Sequence, residues 1–109
     1  MPSFIMRYGI FSDVHGNLEA LDAVIGAYET HNIDRYLCVG DVVGYGANPR
    51  ECLAKVKFLV SGIVAGNHDW AVVDLFGRAY FNAYAKTALE WTAQALTNED
   101  KAYLKSWKL

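Results

Sequence analysis

Residues 8–17 read YGIFSDVHGN, an apolar run that breaks on Ser12-Asp13 and turns through Val14-His15-Gly16. The run extends back to Phe4, so Phe4–Phe11 predicts a short strand. Just beyond it, Leu18, Leu21, Val24, Ile25 and Tyr28 recur at helical spacing. Asn17 is placed to cap that helix, and Glu19 lies in the first turn, where the helix dipole favours a carboxylate. The same order then repeats. Arg35–Val39 predicts a second strand, ended by Gly40-Asp41, and a loop follows through Gly44-Tyr45-Gly46-Ala47. Asn48-Pro49-x-Glu51 has the form of a helix start: a cap residue, proline at the first helical position, and a glutamate reaching back. That helix would carry Leu53, Val56 and Leu59 inward, and Ser61–Ala65 predicts a third strand ending at Gly66-Asn67-His68-Asp69.

Apolar strands alternating with amphipathic helices predict an α/β fold, a parallel β-α-β-α-β sheet with helices on its face. Two helices follow. One spans about Asn82–Leu96; the other starts at the capping-box variant Thr97-x-x-Asp100 and carries Tyr103, Leu104 and Trp107. Residues 70–81 read equally as helix or loop. The 109 residues predict a single domain, 1–109, and 53% apolar content excludes a disordered chain.

Twelve acidic and ten basic residues give a net charge of -2, so no strong field draws the chain to nucleic acid or to an acidic membrane. The longest uncharged stretch, Phe58–Asn67, is far short of the roughly 20 residues that cross a bilayer. No basic leader precedes an apolar run, and Arg7 interrupts the one candidate, so no secretory signal is expected. Cys38 and Cys52 fit no metal or redox spacing; they predict reduced, mostly buried thiols and a cytoplasmic location.

Each predicted strand ends in polar chemistry: Asp13-Val14-His15, then Gly40-Asp41, then Gly66-Asn67-His68-Asp69. In a parallel α/β sheet all strand C-termini share one edge, and ligands bind there. Carboxylates and imidazoles suit divalent ions such as Mn, Fe, Ni or Zn. Asp13 and His15 flank one residue and can hold one ion, Asp41 has two oxygens with which to bridge to a second, and Asn67 offers the second a neutral oxygen. Two such ions about 3.5–4 Å apart activate a water and clamp a phosphoryl group. Singly, each residue reads as a turn, a cap or a hydrogen-bonded histidine. Three clusters at three successive strand ends favour the functional reading. His31 matches no motif.

The set SDVHGN (Ser12–Asn17), VGDVVGYG (Val39–Gly46) and AGNHD (Ala65–Asp69) resembles the calcineurin-like metallophosphoesterases, in particular their small prokaryotic phosphodiesterase branch. The spacings are 28 residues from Asp13 to Asp41 and 26 from Asp41 to Asn67. The resemblance implies half of an αββα sandwich and hydrolysis of phosphomonoesters or phosphodiesters. Asp13 and His15 would hold the first metal, Asp41 would bridge, and Asn67 would hold the second. His68 would lie over the substrate phosphate, protonating the leaving oxygen or stabilising charge. Asp69 would either orient His68 by a hydrogen bond or cap a helix. Family members are longer and draw further histidines from their second half. The second metal site is therefore expected to be weak in this chain, and the bare sheet face to call for a homo-oligomer or the C-terminal half.

Two other functions compete with the phosphoesterase reading. A truncated, inactive metal-binding or interaction module fits the same residues. A nucleotide-binding α/β domain does not, since no G-x-G-x-x-G follows the first strand and no P-loop is present. Tyr45, Trp70 and Tyr80 are expected to pack in the core rather than stack on a base.

Overall fold

The computed structural model describes residues 5–108. Its elements run β1 (Tyr8–Phe11), α1 (Leu18–Glu29), β2 (Arg35–Cys38), α2 (Pro49–Leu59), β3 (Val60–Ile63), α3 (Asn67–Val72), a 3-10 turn (Arg78–Tyr80), α4 (Ala83–Ala95) and α5 (Asn98–Lys105). The three strands form one parallel sheet in the order β1-β2-β3, with Ile10 beside Leu37 and Cys38 beside Ile63. The α/β expectation holds.

Strand limits differ from the sequence reading. The first strand begins at Tyr8, and its proposed start at Phe4 lies outside the described residues. The second ends at Cys38 and leaves Val39 exposed. The third is displaced towards the N-terminus, because α2 feeds into Val60 without an intervening loop. Asn67, His68 and Asp69, read as a strand-end turn, form the first turn of α3. That helix and the 3-10 turn divide the segment 70–81, which had no decisive period.

Consecutive parallel strands in one direction, joined by right-handed crossovers, place both connecting helices on the same face. There α1 and α2 pack together, and α4 packs against both α2 and α3. Leu21, Cys52, Val56, Val72, Leu89 and Leu104 meet in that core. Full burial of such side chains contributes about 1.5–3 kcal/mol each. Both cysteines are free and buried as expected, and desolvation, their largest influence, pushes each thiol up to about 11. Lys108 lies parallel to Val64, and its carbonyl accepts the Ala65 N–H at 2.6 Å, so α4 and α5 form a third crossover on the same side.

Among the described residues, no helix covers the opposite face. Strand alternation turns Tyr8 and Ile10 away from Gly9 and Phe11. Ile10 is 54% exposed and Val39 53%. Among the described residues no helix is long and apolar enough to cross a membrane.

Helix starts follow the sequence closely. The Asn17 side chain accepts from the Ala20 N–H at 3.0 Å, and Thr97 with Asp100 forms the full capping box of α5. At α2 the expectation is corrected: Glu51 accepts the side-chain amide of Asn48 at 2.6 Å, because the Asn48 backbone N–H is already given to the Gly16 carbonyl.

Candidate metal centre

The loops after β1 and β2 continue the parallel pairing beyond the strands. Asp13 N–H donates to the Gly40 carbonyl, His15 N–H to Asp41 and Gly16 N–H to Val42, at 2.8–2.9 Å. Gly46 N–H returns to the His15 carbonyl at 2.7 Å. A Cβ on Gly46 would land on that carbonyl, so only glycine lets the two loops close on each other. Asp13 (φ 58°), His15 (φ 48°), Asp41 (φ 55°) and Tyr45 (φ 70°) all take the left-handed backbone. Such strain persists where surrounding structure over-determines it, and it clusters at functional sites.

This framework brings one residue from each strand tip together. Ligand-capable atoms of His15, Asp41 and His68 all lie within 4.8 Å of one another. The two imidazoles meet edge-on with centroids 4.8 Å apart, and Phe81 closes the other side of His68 at 4.8 Å. His15 Nδ1 and both ring nitrogens of His68 are buried without a hydrogen-bond partner. Unpartnered buried imidazole nitrogens facing a carboxylate are a donor set that fits a divalent cation.

Asp41 holds its place through the neighbouring helix: its Oδ1 accepts the His68 N–H at 3.0 Å and lies 3.5 Å from His68 Nδ1. Burial, the largest influence, holds the His68 ring below the usual histidine range, opposed by the Asp41 carboxylate. Asp13 stands at the outer edge, largely exposed, with Oδ1 3.4 Å from His15 Nε2 and Oδ2 accepting the Ser12 hydroxyl at 2.6 Å. That hydroxyl is the main reason its carboxyl is held below the ordinary aspartate value. Asn67 is exposed at the start of α3, beside His68 in the chain.

Asp69 takes the capping role, not the orienting one. It is fully buried, and its carboxylate accepts four backbone N–H groups: Gly66 at 2.9 Å, Asp41 at 2.7 Å, Val42 at 2.9 Å and Val43 at 3.1 Å. With its oxygens so occupied, it makes no hydrogen bond to His68. Burial pushes it up to about 6, against those N–H groups. Among the aromatics, Trp70 packs on the core as expected, but Tyr45 and Tyr80 are exposed. Phe81 was missed; nothing in its sequence context points to the site, since the loop after α3 carries it there. His31 is exposed and gives its carbonyl to Arg7.

The family model for calcineurin-like phosphoesterases matches residues 6–107. The chain belongs to the calcineurin-like phosphoesterase family. It is 42% identical over 100 residues to an uncharacterized protein of Methanocaldococcus jannaschii, covering 92% of this chain and 41% of that protein. It is similar to the crystal structure of a metallophosphoesterase from Sphaerobacter thermophilus, with TM-score 0.77 and 43% identity over 94% of this chain and 41% of that one. A second crystal structure, of a protein provisionally named a diadenosine tetraphosphatase, matches with TM-score 0.73 and 26% identity over 98% of this chain and 45% of its own. This calcineurin-like chain thus spans about two fifths of the length of the relatives it matches.

Proposed function

We propose that this chain carries the metal-holding part of a phosphoester hydrolase. The observation that supports it most is the convergence of His15, Asp41 and His68 from three strand tips, with ring nitrogens of both histidines buried and without a hydrogen-bond partner. In this reading Asp13, His15, Asp41 and Asn67 would hold two divalent ions, manganese being the first to test. Bound divalent ions supply an activated water and a polarised phosphoryl group. His68 does the work nearest the ester: Nδ1 lies 3.5 Å from Asp41, so Nε2 is the nitrogen left to meet a phosphate oxygen, where the ring would stabilise charge or, once protonated, pass that proton to the leaving oxygen. Asp69 acts at one remove, fixing the Asp41–Val43 backbone.

The exposed Asp13 and the bare sheet face favour a further contribution to the site, from a second copy or from a C-terminal half. The relative named for a dinucleoside polyphosphate makes nucleotides, as phosphoesters or phosphoanhydrides, the first substrate class to try. The test is hydrolysis of a chromogenic phosphodiester with manganese. Turnover that disappears in Asp41→Ala and His68→Ala supports the proposal; turnover indifferent to both overturns the assigned site. Metal binding with no turnover of any ester supports the alternative of an inactive metal-binding or interaction module.

A further inference from the structure

Tyr45 is the one large aromatic ring on the groove that leaves the cluster. That groove, about 480 Å³, runs past Asp13, His15, Asn17, Glu19, Tyr45 and Asn48. The Tyr45 ring meets His15 at 5.4 Å and 67°, and His68 at 5.1 Å and 50°, yet the residue is 53% exposed. An aromatic that only braced the two imidazoles would be expected to be covered; here half of the side chain faces the open groove.

Its placement is costly and fixed. Tyr45 sits at φ 70°, a conformation that a bulky residue rarely adopts. Its neighbour Gly44 is approached so closely by His68 that a Cβ would stand 3.2 Å from that side chain, and Gly46 is hydrogen-bonded to His15. The backbone that carries the ring is therefore fixed before anything binds, which lowers the ordering cost of a contact made on it.

The charge of the groove selects what that contact can be. Its lining includes Asp13 and Glu19 and no lysine or arginine. Asn17 and Asn48 have committed side-chain atoms to Ala20 and Glu51. Away from the ions that Asp13 would hold, a second anionic group in this groove would meet Glu19 and no lysine or arginine, whereas a flat uncharged ring would meet Tyr45.

We propose that Tyr45 is the platform for the leaving group of this site, and that the group it takes is a flat, uncharged ring such as a nucleobase. This rests on the phosphoester reading above, because a phosphate held by His68 and by the ions that Asp13, His15 and Asp41 would carry has its ester substituent beside the groove that Asp13 and His15 line.

Adenosine 5′-monophosphate and ribose 5-phosphate differ by the base alone, so their affinity ratio isolates the contact. Calorimetric titration of the manganese-loaded chain is expected to give at least about fivefold tighter binding of the nucleotide, the lower end of what a base–aromatic stack supplies. Tyr45→Phe should keep that ratio. Tyr45→Gly, which relieves the left-handed backbone and so should fold, is expected to bring it to about one. A ratio near one in the unsubstituted chain, or one that survives Tyr45→Gly, overturns the proposal while leaving the phosphoester reading intact. If neither ligand nor inorganic phosphate binds the manganese-loaded chain, the phosphoester reading itself falls, and this proposal with it.

Discussion

The carboxylate of Asp69 accepts the backbone N–H of Asp41 at 2.7 Å, which makes a residue of α3 the anchor of the turn after β2 that carries Asp41. Three more backbone N–H groups end on the same side chain. Asp69→Asn replaces one acceptor oxygen by a donor amide, so at least one buried N–H loses its partner. The expected loss is about 2 kcal/mol, within the cost of leaving a buried donor unmade. Urea unfolding of the metal-free chain checks it. Unchanged stability with impaired turnover would instead restore the role of orienting His68.

His15 and Asp41 come from different loops, yet both face His68, so removing either should act on metal binding before it acts on folding. His15→Ala and Asp41→Asn are each expected to weaken manganese binding by about 100-fold or more, since loss of a mere ligand-supporting group already costs 10–100-fold. Asp41→Asn keeps an oxygen available to the His68 N–H, so its midpoint of unfolding without metal should stay close to that of the parent. Calorimetric metal titration beside thermal unfolding separates the two effects. Manganese affinity unchanged in both variants would remove the cluster from consideration.

The strand tips were legible because their chemistry is local: an apolar run, then Asp, His or Asn on a turn, three times over. Helix starts at Asn17 and Thr97 were legible for the same reason, each cap being settled within four residues. The role of Asp69 was not. Its partners at 41–43 lie far away in sequence, and only the tertiary meeting of α3 with the loop after β2 decides between capping and orienting. Phe81 and Tyr45 escaped for a related reason. Whether an aromatic is buried depends on what covers it, and nothing at positions 45 or 81 states that the first stays half open while the second closes on His68. Glu51 shows the limit at short range: the right residue at the right spacing found a different partner once Gly16 had taken the backbone N–H of Asn48.

Two glycines should respond to alanine in opposite ways. At Gly46 the new methyl would strike the His15 carbonyl and the Gly16 backbone, neither of which can yield without opening the paired loops. Gly46→Ala is expected to destabilise by about 3 kcal/mol, the upper range for overpacking, and to weaken metal binding because His15 moves. At Gly26, exposed within α1, a methyl meets nothing within 4 Å. Gly26→Ala is expected to stabilise by about 1 kcal/mol through helix propensity and a less mobile unfolded chain. Thermal unfolding of the pair is the check; equal effects of the same sign would show that the loop contact carries no weight.

Asp100 links α5 to α2 and sets an acid limit on stability. Burial raises its pKa, but the Thr97 N–H and hydroxyl and the Arg50 guanidinium, whose Nε lies 3.1 Å away, outweigh it and hold the carboxyl below its ordinary value. Its folded value therefore lies below the unfolded value of about 3.9. The unfolded chain binds the proton first as pH falls, so stability from Asp100 is complete above about pH 4 and is lost as pH drops through the lowered folded value. Asp100→Asn should lose about 1 kcal/mol at neutral pH, the size of a helix-cap contribution. The difference in stability between it and the parent should shrink as the solution is acidified below pH 4. Chemical unfolding at pH 7 and pH 3 measures this directly; a difference that stays constant between them would show that the Asp100 charge does not support the α5 cap.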